Sequence, residues 1–302
     1  MTNEKSEIGN EKSVDLLSIT IPLKPVGGVP PGEAAASGRL PAASMGRAAH
    51  ALLLNSIREA DGRLAESLHD SNGLKPFTVS DLIGYAPKRG IEVDRVYSLR
   101  FTALTREVSA ALQAAVSAEV LGMGREVELA GVKFLISDLR LLNEGRNQKS
   151  AIQNQKSTYE ELSAPWLLGR QSPQHRIEFR FLSPTAFKSE EKHVPLPMPA
   201  WVFGSLLEKW NAFAPVALPP ETRRFAAECM AVSGFRLYSR PSYIKEGGVR
   251  VGAVGMVRYT ALNKDRYWLS VMNLLADFAF YAGVGAGTTM GLGQVRKMNN
   301  EQ

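Results

Sequence analysis

Histidine is the side chain best suited to move protons near neutral pH, and this sequence has four: His50, His69, His175 and His193. No two of them stand at metal-ligand spacing. The single cysteine, Cys229, can form neither an internal disulfide nor a thiolate cluster, and it reads as a small hydrophobe in an apolar helix. The four histidines suit acid–base catalysis, and their spacing agrees with chemistry that uses no metal; no cofactor is expected. His50 falls about a quarter-turn off an apolar stripe of Met45, Ala49, Leu52, Leu53, Ser56 and Ala60, with Arg47 three residues before it. A border imidazole next to a guanidinium fits a site on a domain surface, and equally an incidental border residue. His69 precedes Asp70 near a helix C-terminus, where a charged imidazole suits the dipole. His175 opens a strand and His193 lies in a Lys/Pro loop, both surface positions.

The densest local signal is Gly283-Val-Gly285-Ala-Gly287-Thr288-Thr289-Met-Gly291-Leu-Gly293. Glycines at this spacing let backbone N–H groups approach an anion without Cβ interference. A dinucleotide fingerprint requires strand, G-x-G-x-x-G, then helix; here Thr288 and Met290 occupy the third glycine positions and a helix precedes the loop. A Walker loop requires Gly-Lys-Ser/Thr, which is absent. The loop is therefore expected to contact a phosphate backbone, with Arg296 and Lys297 beyond it; a helix cap at Gly283 accounts for only one of its glycines. Arg236, Tyr238 and Arg240 alternate on one strand face, and Lys188, Lys245, Arg250 and Arg258 add charge nearby. The stacking signature of RNA-recognition sheets is missing, so shape and phosphates are the expected features to be read.

The elements that must position these residues follow from composition and periodicity. The chain has 302 residues, enough for two domains. Its 44% hydrophobic and 22% charged residues exclude wholesale disorder. Net charge is +6, and residues 236–302 hold nine basic against four acidic side chains, which favours an anionic partner. The N-terminus lacks the apolar core of a secretory signal, and the most apolar window, Ser270 to Gly287, is too short and interrupted to span a bilayer. A cytoplasmic protein without membrane association is expected.

Asn3–Ser13 and Asn147–Ser157 each hold two Asn-Glu/Gln-Lys-Ser copies with one isoleucine between them, too few apolar positions for a coiled coil. They read as a tail and a linker. Strand periodicity marks Val14–Leu23, Phe77–Ile83, Arg95–Ala103 and Val127–Leu141, and helical spacing marks Pro41–Ala60 and Thr105–Ala118. That is β-α-β-β-α-β. The order repeats in His175–Leu182, Pro199–Phe213, Val232–Arg240, Val249–Ala261, Arg266–Ala282 and Leu292–Met298. The expected fold is α+β, with two tandem ferredoxin-like (RRM-like) domains. Residues 1–13 would be a flexible tail, 14–142 the first domain, 143–174 a linker or insertion and 175–302 the second domain.

At its glycine loop, GVGAGTTMGLG, the sequence resembles the CRISPR-associated repeat-RNA endoribonucleases. Further resemblance lies in HALLLNSIREADGRLAESLHD with LKPFTVS (residues 50–80), RFLSPTAF (180–187) and LPMPAWVFGSLLEKWNAFAP (196–215). The NQKS insertion and Ala253, where an aromatic is expected, depart from the pattern. The resemblance implies two ferredoxin-like domains in a prokaryotic, metal-independent RNase that cuts CRISPR precursor transcripts within repeats. A 2′-hydroxyl would attack the neighbouring phosphate, leaving a 2′,3′-cyclic phosphate and a 5′-hydroxyl. His50 matches the family's first-helix histidine, whose typical role is proton transfer. A tyrosine ahead of it, used by some members, is absent between Val14 and His50, which leaves Arg47, Arg39 and Lys75 as cationic candidates. RNA contacts fall on Lys188, Arg236, Arg240, Arg258 and the loop residues Gly283, Gly285, Gly287, Thr288, Thr289, Gly291 and Gly293. The implied partner is CRISPR repeat RNA, precursor and mature guide, with an effector complex and a homodimer left open. The alternative is a non-catalytic repeat-binding subunit of the same fold.

Overall fold

The structure, a computed structural model, describes residues 14–27, 45–86, 89–117, 120–137, 155–243 and 248–298. The expected tail, Arg39 and Lys245 lie outside these residues. The first half runs β1 (Leu16–Pro25), α1 (Met45–Ala60), α2 (Gly62–Asp70), β2 (Phe77–Val79), β3 (Tyr97–Ala103), α3 (Arg106–Ser117), β4 (Glu126–Leu129) and β5 (Val132–Ile136). Its sheet has the order β2-β3-β1-β5-β4, antiparallel throughout. Strand alternation sends Leu17, Ile19, Ile21, Leu99 and Phe101 to one face, where they meet Leu53, Ile57 and Leu112 of the helices. Leu54 and Ile57 take the place of Ala60 in the α1 core stripe; Ala60 is exposed. The single strand expected over Val127–Leu141 is a hairpin, because Ala130 and Gly131 both take positive φ (50° and 85°) and reverse the chain.

After β6 (Gln155–Ser157) and α4 (Tyr159–Leu167) come β7 (Arg176–Thr185), the small hairpin β8 (Phe187–Ser189) and β9 (Lys192–Val194), and α5 (Pro199–Phe213). Then follow α6 (Glu221–Cys229), β10 (Met230–Tyr243), β11 (Val249–Ala261), α7 (Arg266–Ala282), a 3-10 turn (Thr288–Met290) and β12 (Val295–Met298). The second sheet, β10-β11-β7-β12, is antiparallel. Both halves carry the strand order of a ferredoxin-like domain, as periodicity predicts. Of the expected linker, residues 155–174 are structured. Gln155–Ser157 pair with β1, and Thr158 caps α4 through a reciprocal bond with Glu161, placing Tyr159 and Trp166 in the second core. Trp166 and Phe203 are buried and Trp201 stacks on Phe187, so these aromatics are packed inside.

The two halves meet through α7. The helix is buried nearly all round: one side faces its own sheet and the other covers the second face of the first sheet. That sheet face is polar yet buried, made of Ser18, Thr20, Thr78, Ser80, Ser98, Arg100 and Thr102. Thr78 and Thr102 bond each other at 2.6 Å, and the Thr102 hydroxyl donates to Tyr281 O at 2.7 Å. Arg100 donates to Phe280 O at 3.1 Å and to the Gln294 side chain, with its guanidinium over the Phe280 ring. Burial pulls Arg100 down to about 10.

Arg100→Met keeps the apolar stem and removes both donors. Each orphaned buried acceptor costs roughly 1–3 kcal/mol, so a stability loss of about 2–4 kcal/mol is expected in urea unfolding. An unchanged midpoint would show that this guanidinium does not hold the halves together.

Candidate active site

The glycine loop starts where α7 ends. Gly283 has φ of 59°, and its N–H bonds Ala279 O. Val284 N–H donates to Gly293 O (2.9 Å), Gly285 N–H to Ser205 Oγ (3.2 Å), Ala286 N–H to Ala186 O (2.9 Å) and Gly293 N–H to Pro184 O (3.1 Å). A Cβ on Gly293 would overlap Val284 O, and one on Gly285 would overlap Ala186 O. The amides of Gly283, Gly285 and Gly293 thus bond the protein's own groups, and the missing Cβ atoms admit neighbouring backbone. Between Gly287 and Gly291, both left-handed, the turn Thr288–Met290 projects toward the first domain.

Helix α1 receives that turn along its Gly46–His50 edge, residues four apart and so on one face. A methyl on Gly46 would overlap the Met290 carbonyl. His50 Nδ1 lies 2.9 Å from Thr289 O. A carbonyl only accepts, so Nδ1 carries the hydrogen and Nε2 presents its lone pair. The half-buried ring is 5.5 Å from that of Phe77. Burial pushes the His50 pKa below the ordinary 6.5, the bond to Thr289 opposes this, and the charges of Lys75 and His69 add to the lowering.

Asp81 was not singled out from sequence. It accepts from Leu82 N–H (2.9 Å) and Gly46 N–H, capping the helix that carries His50 from a distant loop. Burial raises its carboxyl pKa, while those two amides and the charge of Arg240 work the other way. Beside it Ser80 bridges to Gly291, and the strand expected over Phe77–Ile83 is interrupted after Val79, its pairing with β3 resuming at Ile83 opposite Ser98. No local pattern could have revealed this cap, since donor and acceptor are far apart in sequence.

The cations separate into groups. Arg47 is exposed on α1, one turn before His50. Lys75 donates to Leu68 O and to the backbone and side chain of Ser71, closing the end of α2, and its charge reaches His50. Across the glycine loop, Arg240 acts on Asp81, and Arg250 approaches Gly287. Lys188, Arg236 and Tyr238 are exposed. Register adds two arginines to this face: Arg236, Met256, Arg180 and Arg296 form a cross-strand row on the side of the second sheet opposite Phe179 and Val257. Arg258 is paired with Glu178 at 2.8 Å. Lys297 is held by Asp277 at 2.9 Å over the Trp166 ring. His69, His175 and His193 are exposed, none of them in the loop–helix contact.

Among the described residues no helix is long and apolar enough to cross a membrane. A family model described as CRISPR-associated endoribonuclease Cas6 matches residues 179–295, and one described as CRISPR Cas6 N-terminal domain matches residues 35–107. A curated CRISPR-associated endoribonuclease Cas6 from Mycobacterium tuberculosis is 32% identical over 123 residues, 40% of this chain. That match spans only 38% of the relative's length. A solved Cas6 product complex superposes with a TM-score of 0.70 at 25% identity, covering 94% of this chain and 99% of that one. Thermus thermophilus Cas6 gives 0.64 at 24% identity, covering 94% and 99%. The product of a Cas6-related gene from Pyrococcus furiosus gives 0.56 at 16%, covering 95% and 100%; these last two compare the fold alone.

Titration of the His50 ring, followed by nitrogen-15 NMR, is expected to give a midpoint below 6.5, with the neutral form protonated at Nδ1. A neutral form protonated at Nε2 would disprove the Thr289 contact in solution.

Proposed function

This chain belongs to the Cas6 family of CRISPR-associated endoribonucleases, and we propose that it cuts CRISPR precursor RNA within each repeat to release guide RNAs. The observation that carries this reading is the 2.9 Å contact of His50 Nδ1 with the Thr289 carbonyl. It fixes one tautomer of a half-buried imidazole at the junction of two domains and leaves Nε2 as the reactive atom. With its pKa lowered, His50 is neutral at pH 7 and can take a proton from the 2′-hydroxyl next to the scissile phosphate. The oxygen then attacks phosphorus, the bond to the 5′-oxygen breaks, and a 2′,3′-cyclic phosphate remains. Arg47, one turn away, stabilises charge on the phosphorane and stays protonated throughout. Lys75 contributes its field while its donors close α2.

The RNA backbone runs from this junction across the open face of the second sheet, past Arg240 and Arg250 and onto Arg236, Arg180 and Arg296, with Tyr238 between Arg236 and Arg240 on β10. Lys188 borders the same path. Thr289 and Met290 meet the substrate from above, so the glycine loop acts through the turn it carries.

Cleavage of a cognate repeat RNA with chelator present tests the reading. His50→Ala is expected to lower the rate by roughly 10²–10⁴-fold with RNA affinity kept, and a 2′-deoxy sugar at the scissile position should abolish cutting. The wild-type rate should rise with pH through a midpoint below 6.5, because the base must be unprotonated. Tight binding without cutting by the wild type would mark a binding subunit instead, and undiminished cutting by His50→Ala would assign the chemistry elsewhere.

A further inference from the structure

Lys209 on α5 is 5% exposed, far from the expected fate of a lysine, and takes no part in the chemistry above. Its Nζ donates to Ala282 O at 2.6 Å, Gly283 O at 3.3 Å and Thr288 Oγ1 at 3.0 Å. An ammonium has three N–H donors, and here each finds one acceptor. The charge nearest in effect is Glu208, its own neighbour on α5, whose carboxylate is turned to Arg223. Burial pulls the ammonium down to about 7, against the negative end of α7 that favours it.

A methionine of similar length would fill this space without desolvating a charge. What the amine adds is direction. It ties the end of α7 to the side chain of Thr288, and the next residue in the chain supplies the carbonyl that holds His50. The connection is short and physical: Lys209 Nζ to Thr288 Oγ1, one peptide unit to Thr289 O, then His50 Nδ1.

We infer that Lys209 is a positioning residue: it fixes the Thr288–Met290 turn so that the Thr289 carbonyl keeps His50 protonated at Nδ1 and aims Nε2 at the RNA. This rests on His50 being the base, and the measurements below separate the two claims. In full-length Lys209→Met, the single-turnover rate at saturating protein is expected to fall about tenfold or more, the scale on which misplacing a catalytic group acts, while repeat-RNA affinity stays as in the wild type. Nitrogen-15 NMR of His50 should lose the pure Nδ1–H signature. Thr288→Val removes the acceptor, keeps the shape and should move both readouts the same way by less; it carries the test if Lys209→Met does not fold. A folded variant with wild-type rate and His50 tautomer overturns the inference, and so does a rate loss with the tautomer intact. If His50→Ala leaves cutting unchanged, the base assignment fails, whereas the tautomer signal still reports on Lys209.

Discussion

The last four carbonyls of α7 stand where its hydrogen-bond ladder runs out, and the way they are satisfied joins the molecule. Ala279 O takes the Gly283 N–H, the helix's own cap. Phe280 O takes Arg100, and Tyr281 O takes Thr102 with Thr78 beside it, all from the first sheet. Ala282 O takes Lys209. Two buried cations therefore sit at the negative pole of one helix, one from each domain, where the dipole offsets part of their desolvation. The placement of the glycine loop follows. Its first residue is pinned by the same set of bonds, so the turn it carries reaches α1 at a fixed position.

Much of the fold was legible because it rests on local periodicity. The element order of both domains, the limits of Arg266–Ala282 and the Val249–Ala261 strand follow from apolar spacing alone. Where reading failed, the cause was a partner distant in sequence. Ser18, Thr20 and Thr102 alternate with apolar residues like a solvent face, and only the docking of α7 buries them. The hairpin at Ala130-Gly131 was missed because alanine rarely takes positive φ. Gln155–Ser157 reads as a polar linker, and it gains its strand from the β1 edge that β5 leaves open.

The site shows the same division. The border position of His50 on its helix is legible from spacing, which fits a site and an incidental residue equally, and the glycine cluster is legible from its density. Density alone, however, reports that something approaches the backbone closely, and cannot say whether that is a ligand or the chain itself. For Gly285 and Gly293 the visitor is another carbonyl of this protein. Asp81 and Lys209 had no signature at all, since each is an ordinary charged residue until folding buries it against Gly46 or Thr288.

A backbone carbonyl is a different partner for a catalytic histidine than a carboxylate would be. Either fixes the tautomer, but a carboxylate also stabilises the imidazolium and raises its pKa. With Thr289 O in that role, burial outweighs the hydrogen bond and the ring stays neutral near pH 7. Such a ring is a ready acceptor for a 2′-hydroxyl proton and a poor reservoir of protons for the departing 5′-oxygen. The arrangement thus favours the first half of the proton inventory and leaves the second to other groups or to solvent. His50 stands on the first domain and the Thr289 carbonyl on the second, so the tautomer depends on the α7 junction that holds the two together.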